Sequence, residues 1–77
     1  MRIVGNIPHP DLRITVFHMN DKYILKFEAG PMEQTFKFDQ SQFGGMEDIQ
    51  KKIDAEFLQK VKARFNEMFL EMKRINN

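Results

Sequence analysis

The chain has 77 residues, of which 42% are hydrophobic and 30% are charged, and it contains no cysteine. This length allows one domain, and the absence of thiols excludes a disulfide framework, a thiolate nucleophile and a cysteine-ligated zinc site. Twelve basic and eleven acidic residues leave a formal net charge of +1, so the sequence lacks the strong positive field of an electrostatic nucleic-acid binder.

Residues 1–11 predict an extended or irregular lead-in to the domain. Gly5, Pro8 and Pro10 interrupt this segment, and each proline favours extended geometry in the residue before it. Residues 2–4 leave open a short edge strand.

Two segments of alternating polarity, 12–19 and 23–29, predict a β-hairpin. Asn20 and Asp21 between them tolerate left-handed backbone and are typical of a two-residue turn. The resulting register sets Met19 opposite Lys22. The predicted core-face pairs are His18 with Tyr23, Val16 with Leu25, Ile14 with Phe27, and Leu12 with Ala29. The outer face then pairs Phe17 with Ile24, Thr15 with Lys26, and Arg13 with Glu28.

A third strand is predicted over residues 32–38, after the turn signal Gly30-Pro31. Phe36 and Phe38 would join the core face. A two-residue turn would set Glu33 opposite Glu28, and this like-charge pair favours a bulge or a longer loop. The sequence leaves the turn type open.

Residues 46–75 carry apolar side chains at a mean spacing of about 3.6, the α-helical period. The stripe comprises Met46, Ile49, Ile53, Phe57, Val61, Phe65, Met68, Met72 and Ile75. Asp54 is a candidate internal N-cap, but the stripe stays in phase across it, which favours one helix, straight or kinked. The predicted fold is a single α+β domain: a three-stranded antiparallel β-meander over residues 12–38 and one long C-terminal helix packed on one sheet face.

The predicted helix is longer than the sheet that it covers. Thirty helical residues span about 45 Å, whereas an eight-residue strand spans roughly 27 Å. We therefore expect Met68, Phe69 and Met72, near the far end, to lie beyond the sheet. A second copy of the chain would cover them, which predicts a homodimer.

No residue pattern in the chain predicts catalysis, a metal or a cofactor. The two histidines, His9 and His18, lack a third ligand at characteristic spacing. The single serine, Ser41, is not in a G-x-S-x-G motif. We therefore expect a protein that is not an enzyme and binds no small-molecule substrate.

The outer face of the predicted sheet supports two functional hypotheses. Phe17, Met19 and Ile24 form an apolar patch suited to a protein partner. Arg13, Lys26 and Lys37 on the same face offer phosphate contacts. The favoured function is a protein-interaction or homodimerisation module, and the alternative is a nucleic-acid-binding domain.

The sequence also predicts a cytoplasmic protein. It has no signal-peptide pattern at its N-terminus, and small secreted domains usually depend on disulfides. The longest uninterrupted apolar runs reach three residues, whereas a membrane-spanning helix needs about 20.

Overall fold

The computed structural model describes residues 2–76 and shows an α+β fold. One antiparallel sheet contains four strands in chain order: β1 (Arg2–Ile7), β2 (Arg13–Met19), β3 (Lys22–Ala29) and β4 (Met32–Asp39). After a 3-10 turn at Gln40–Gln42, two helices follow: α1 (Met46–Lys52) and α2 (Ala55–Asn76). Both helices pack on the same face of the sheet, where the core lies.

The segment before residue 12 forms a fourth strand, so the prediction of a three-stranded sheet is wrong. The edge strand that residues 2–4 left open is present and extends over Arg2–Ile7. β1 pairs antiparallel with β2 along the edge of the sheet. Its register shifts between Ile3 and Gly5, and both Val4 and Ile7 pack against the core. Such a bulge breaks the two-residue alternation by which a strand is recognised in sequence.

The β2–β3 hairpin has the predicted register. Pairs run without interruption from Arg13 opposite Glu28 to Met19 opposite Lys22. Asn20 and Asp21 have positive φ angles of 52° and 60°, as a type I′ turn requires. The predicted partnership of Leu12 with Ala29 lies outside the ladder, because β2 begins at Arg13.

The β3–β4 connection is a two-residue turn, contrary to the bulge or longer loop that the like-charge pair favoured. Glu28 lies directly opposite Glu33. Gly30 has a φ of 60°, the conformation of the first central residue of a type II′ turn. Lys26 Nζ lies 3.2 Å from a carboxylate oxygen of Glu33, and this ion pair offsets the repulsion.

The C-terminal segment forms two helices, so the favoured single helix is wrong and the alternative of a cap at Asp54 is confirmed. Ile53 leaves helical geometry, with φ −85° and ψ 80°. The Asp54 Oδ1 atom accepts a 2.9 Å hydrogen bond from the Phe57 amide, which satisfies one of the donors at the start of α2.

Apolar side chains from the sheet and from both helices form one core. Its buried members are Leu12, Ile14, Val16, Leu25, Phe27, Ile49, Ile53, Val61 and Phe65. The Phe27 ring lies 5.7 Å, between centroids, from both Phe36 and Phe57. This aromatic cluster holds the first turn of α2 over β3 and β4.

Candidate interaction surfaces

Gln34 joins α2 to the edge strand β4. Its side-chain amide donates a 2.9 Å hydrogen bond to the Val61 carbonyl, and its Oε1 lies 3.4 Å from Arg64 Nη1. Gln34 is the third residue of β4, near the end of the sheet that carries the β3–β4 turn. Because α2 is in its second turn at Val61, most of its length lies at or beyond this end.

The opposite flank of α2 faces the β1–β2 connection. Lys62 Nζ lies 3.1 Å from Asp11 Oδ2, and both side chains are about half exposed. His9 supports this loop, because its Nδ1 accepts hydrogen bonds from the amides of Asp11 and Leu12 at 3.1 and 3.2 Å. These bonds give His9 a structural role in the loop.

The C-terminal half of α2 exposes apolar side chains, as the length of the predicted helix implied. No described residue after Phe65 is buried. Phe69 is 50% exposed, while Met68 and Met72 are partly buried. Met68 packs against the core, so the expectation that it lies beyond the sheet is wrong. Leu70 and Ile75 are 56% and 80% exposed. Leu70 was not predicted as part of a site, because it points away from the apolar stripe.

An open groove runs along one side of this exposed half, between the helix and the start of β4. It has a volume of about 720 Å³. Its lining residues are Gln34, Arg64, Glu67, Met68, Leu70, Glu71 and Met72. The groove therefore combines an apolar surface with one basic and two acidic side chains.

The outer face of the sheet brings Phe17, Met19 and Ile24 together, as predicted. They line a shallow hollow with Lys26 and Thr35. Ile24 is only 7% exposed and Met19 is 36% exposed, so the three side chains offer less apolar surface than the sequence implied.

Ile3 enlarges this outer patch, and sequence reasoning missed it. It pairs with Phe17 and is 62% exposed. The signal was present in the apolar pair Ile3-Val4, but β1 had not been predicted as an ordered strand.

The basic residues of the outer face lie among acidic ones. Lys26 pairs with Glu33, and Arg13 lies opposite Glu28 across the ladder. Lys37 is exposed and lines the same hollow as Lys26. The structure therefore brings Lys26 and Lys37 to one hollow, in which Glu33 pairs with Lys26.

His18 lies at the other end of the sheet and contacts Tyr23, as predicted. The two rings are 5.4 Å apart in an edge-on arrangement. The His18 Nε2 atom lies 2.6 Å from Gln40 Oε1, so the tautomer that donates from Nε2 forms this bond. His18 thus links β2 to the 3-10 turn that precedes the helices.

The carboxyl group of Asp48 has a pKa below its ordinary value. The Gly44 amide, 2.9 Å from its Oδ2, is the main reason why the pKa of Asp48 is lowered. Lys52, at 3.2 Å, contributes in the same direction. Asp48 lies in the first turn of α1 and ties the loop before it to the helix.

Within residues 2–76, no three His, Asp or Glu side chains lie close enough together to hold a metal ion. No helix in this range is long and apolar enough to cross a membrane. Comparisons of the chain with protein-family models, with curated proteins and with solved structures gave no match. The function therefore has to be inferred from the surfaces of the molecule.

Proposed function

We propose that this protein is a non-enzymatic interaction module that forms a homodimer through the C-terminal half of α2. One observation carries this proposal: after Phe65 the helix has no buried residue among those described, yet its sequence stays apolar. Phe69, Leu70 and Ile75 are each at least half exposed. Met68, Leu70 and Met72 line one groove, and an exposed apolar groove of this kind marks an interaction site.

Burial of this surface would stabilise the helix as well as the complex. Fully burying one large apolar side chain contributes about 1.5–3 kcal/mol. Residues 66–76 form about three turns, a length that is marginal for a helix without tertiary support. A partner against this segment would supply the support that the sheet does not reach far enough to give.

A second copy of the chain fits the charges of the groove better than a partner whose surface carries charges of only one sign. The groove contains Arg64 as well as Glu67 and Glu71. A uniformly basic or acidic partner would meet repulsion from one of these groups. A copy of the same helix supplies both signs. We place this dimer in the cytoplasm, since the chain has no cysteine that an oxidising compartment would use.

Nucleic-acid binding through the outer sheet face is the second candidate. An exposed Lys37 beside Phe17 and Thr35 in one hollow favours it. However, the pairing of Lys26 with Glu33 lowers the positive potential that phosphate binding requires. We therefore rank it below dimerisation. Retention on a nucleic-acid column that falls steeply with salt would favour it instead.

Two apolar positions separate the candidate surfaces. We expect Leu70→Glu to weaken self-association at least about tenfold, since it places a charge among the apolar side chains that line the groove. Phe17→Ser, on the outer sheet face, is the matched variant and should leave the dissociation constant within about threefold of the unmodified chain. Sedimentation equilibrium gives both constants, and circular dichroism checks that both variants fold.

If Phe17→Ser weakened self-association and the substitution on α2 did not, the interface would lie on the outer sheet face. Equal dissociation constants for both variants and the unmodified chain would contradict the proposed function at both surfaces.

A further inference from the structure

The flank of α2 that faces away from β1 carries an ordered pattern of charge. Lys60, Arg64, Glu67 and Glu71 are spaced by four, three and four residues, so they follow one side of the helix. The order of signs is two positive, then two negative. Reversing the direction of the helix exchanges the signs, so the stripe is complementary to itself when two copies run antiparallel.

This charged stripe is accessible in the folded chain. The Lys60 and Glu71 side chains are 67% and 63% exposed, and Arg64 and Glu67 are exposed. Arg64 reaches Gln34 on β4, which is an edge strand. Lys62, on the opposite flank, faces Asp11 instead. The stripe therefore points outward past the edge of the sheet, where no other strand of the described chain lies.

We infer that the homodimer is antiparallel and two-fold symmetric, with the two α2 helices paired along this stripe. An axis midway between Arg64 and Glu67 sets Lys60 opposite Glu71 of the second copy, and Arg64 opposite its Glu67. The symmetry repeats each pair, so four pairs of opposite charge form across one interface. This inference rests on the proposed function and adds the orientation and register of the two helices.

The same arrangement uses the groove described above. Glu67, Glu71 and Arg64 line it together with Met68 and Met72. The apolar groove residues supply the buried contact, and the flanking charges select antiparallel over parallel pairing, as flanking charges do in coiled coils. The exposed ion pairs within the chain, Glu56 with Lys60 and Glu71 with Arg74, contribute little and can exchange partners.

Charge reversal tests the pairing directly. An acidic variant, K60E/R64E, and a basic variant, E67K/E71K, each give a stripe of one sign. Each should self-associate at least about tenfold more weakly than the unmodified chain. The four substitutions together give two negative and then two positive charges, which is again complementary to itself in antiparallel pairing, and should return the dissociation constant to within about threefold.

The intrachain ion pairs of Lys60 with Glu56 and of Glu71 with Arg74 cannot produce this rescue. Residues 64 and 67 are neighbours within one helix, and circular dichroism of each variant at low concentration measures that intrachain effect separately. Lys60→Glu and Glu71→Lys set like charges beside Glu56 and Arg74 in the double variants and in the quadruple variant alike. A control variant, K37E/K51E, changes the net charge by the same amount as the acidic variant at exposed positions away from α2. It should leave the dissociation constant within about threefold.

A spin label on the single cysteine of an Asn76→Cys variant measures the orientation. The chain has no other cysteine. Antiparallel helices with the inferred axis set the two labels about 30 Å apart, whereas parallel helices set them about 10 Å apart. The longer distance, together with rescue by the quadruple variant, is the expected result.

Failure of this inference differs from failure of the proposed function. If Leu70→Glu breaks the dimer but the quadruple variant shows no rescue, or if the labels lie about 10 Å apart, the register is wrong and the dimer stands. If the unmodified chain stays monomeric, both are overturned.

Discussion

Asp54 determines where the C-terminal segment divides into two helices. Its carboxylate accepts the Phe57 amide, and its carbonyl accepts the Leu58 amide, so α2 begins there as a separate helix. Ile49 and Ile53 before the break lie in the same core as Val61 and Phe65 after it. A stripe that stays in phase therefore does not prove one continuous helix, because a cap can interrupt the backbone without moving the apolar face.

Replacement of this cap should destabilise the fold measurably. We expect Asp54→Ala to lower the free energy of unfolding by about 1 kcal/mol, since the Phe57 amide in the first turn of α2 loses its side-chain acceptor. Asp54→Asn keeps a side-chain acceptor and should lose only a few tenths of that value. Urea denaturation at neutral pH gives both differences. Equal stability of Asp54→Ala and the unmodified chain would show that the cap is not needed.

Single residues also explain where sequence reasoning failed on the sheet. Glu33 opposite Glu28 argued against a tight turn, yet Lys26, two residues along β3, lies 3.2 Å from Glu33. The rule that like charges directly opposite each other repel considers only the Glu28–Glu33 pair, so it misses the diagonal contact between Lys26 and Glu33. Ile24 was predicted to be part of an exposed patch, and it is 7% exposed. Neighbouring side chains on the outer face cover Ile24. The alternation of polarity predicts which face a residue lies on, but it does not predict how much of the residue its neighbours cover.

At the level of elements, α2 divides into a supported half and an exposed half. Gln34, Lys62 and the aromatic cluster hold residues 55–65 against the sheet and the β1–β2 loop. Residues 66–76 contribute no buried side chain. The second half depends on the first for helix nucleation and on another surface for packing.

Amide hydrogen exchange should detect this difference. We expect the amides of residues 67–76 to exchange quickly in dilute solution and to become protected as the protein concentration rises, because dimerisation buries their side chains. The amides of β2 and β3 provide the internal control and should stay protected throughout. Protection of residues 67–76 that does not change with concentration would contradict a role for this segment in association.

The elements differ in how far the sequence could predict them. The β2–β3 hairpin was correct in every ladder pair, because local alternation and the Asn20-Asp21 turn specify it. β1 was missed as an ordered strand, because its pairing partner is distant in the chain and its bulge interrupts the alternation. The exposed end of α2 could be anticipated from length alone, since a helix longer than its sheet must extend past it.

At the level of the whole molecule, the elongated shape and the exposed apolar surface both reflect a helix that extends past its sheet. The described chain measures 44 × 25 × 18 Å, and α2 alone spans about 33 Å. A domain of this size buries only about 60% of its unfolded surface, so an exposed apolar helix end leaves a marked fraction of its hydrophobic residues without cover. Dimerisation is the simplest way for a small chain to gain the missing burial.

The mass in solution, measured by light scattering behind size exclusion over a range of concentrations, tests this account most directly. The monomer mass is 9.2 kDa. We predict a mass that rises toward twice this value with concentration and then stays constant, as a closed two-fold dimer requires. A mass that stays at 9.2 kDa across the range would contradict the proposal that α2 is a dimerisation surface.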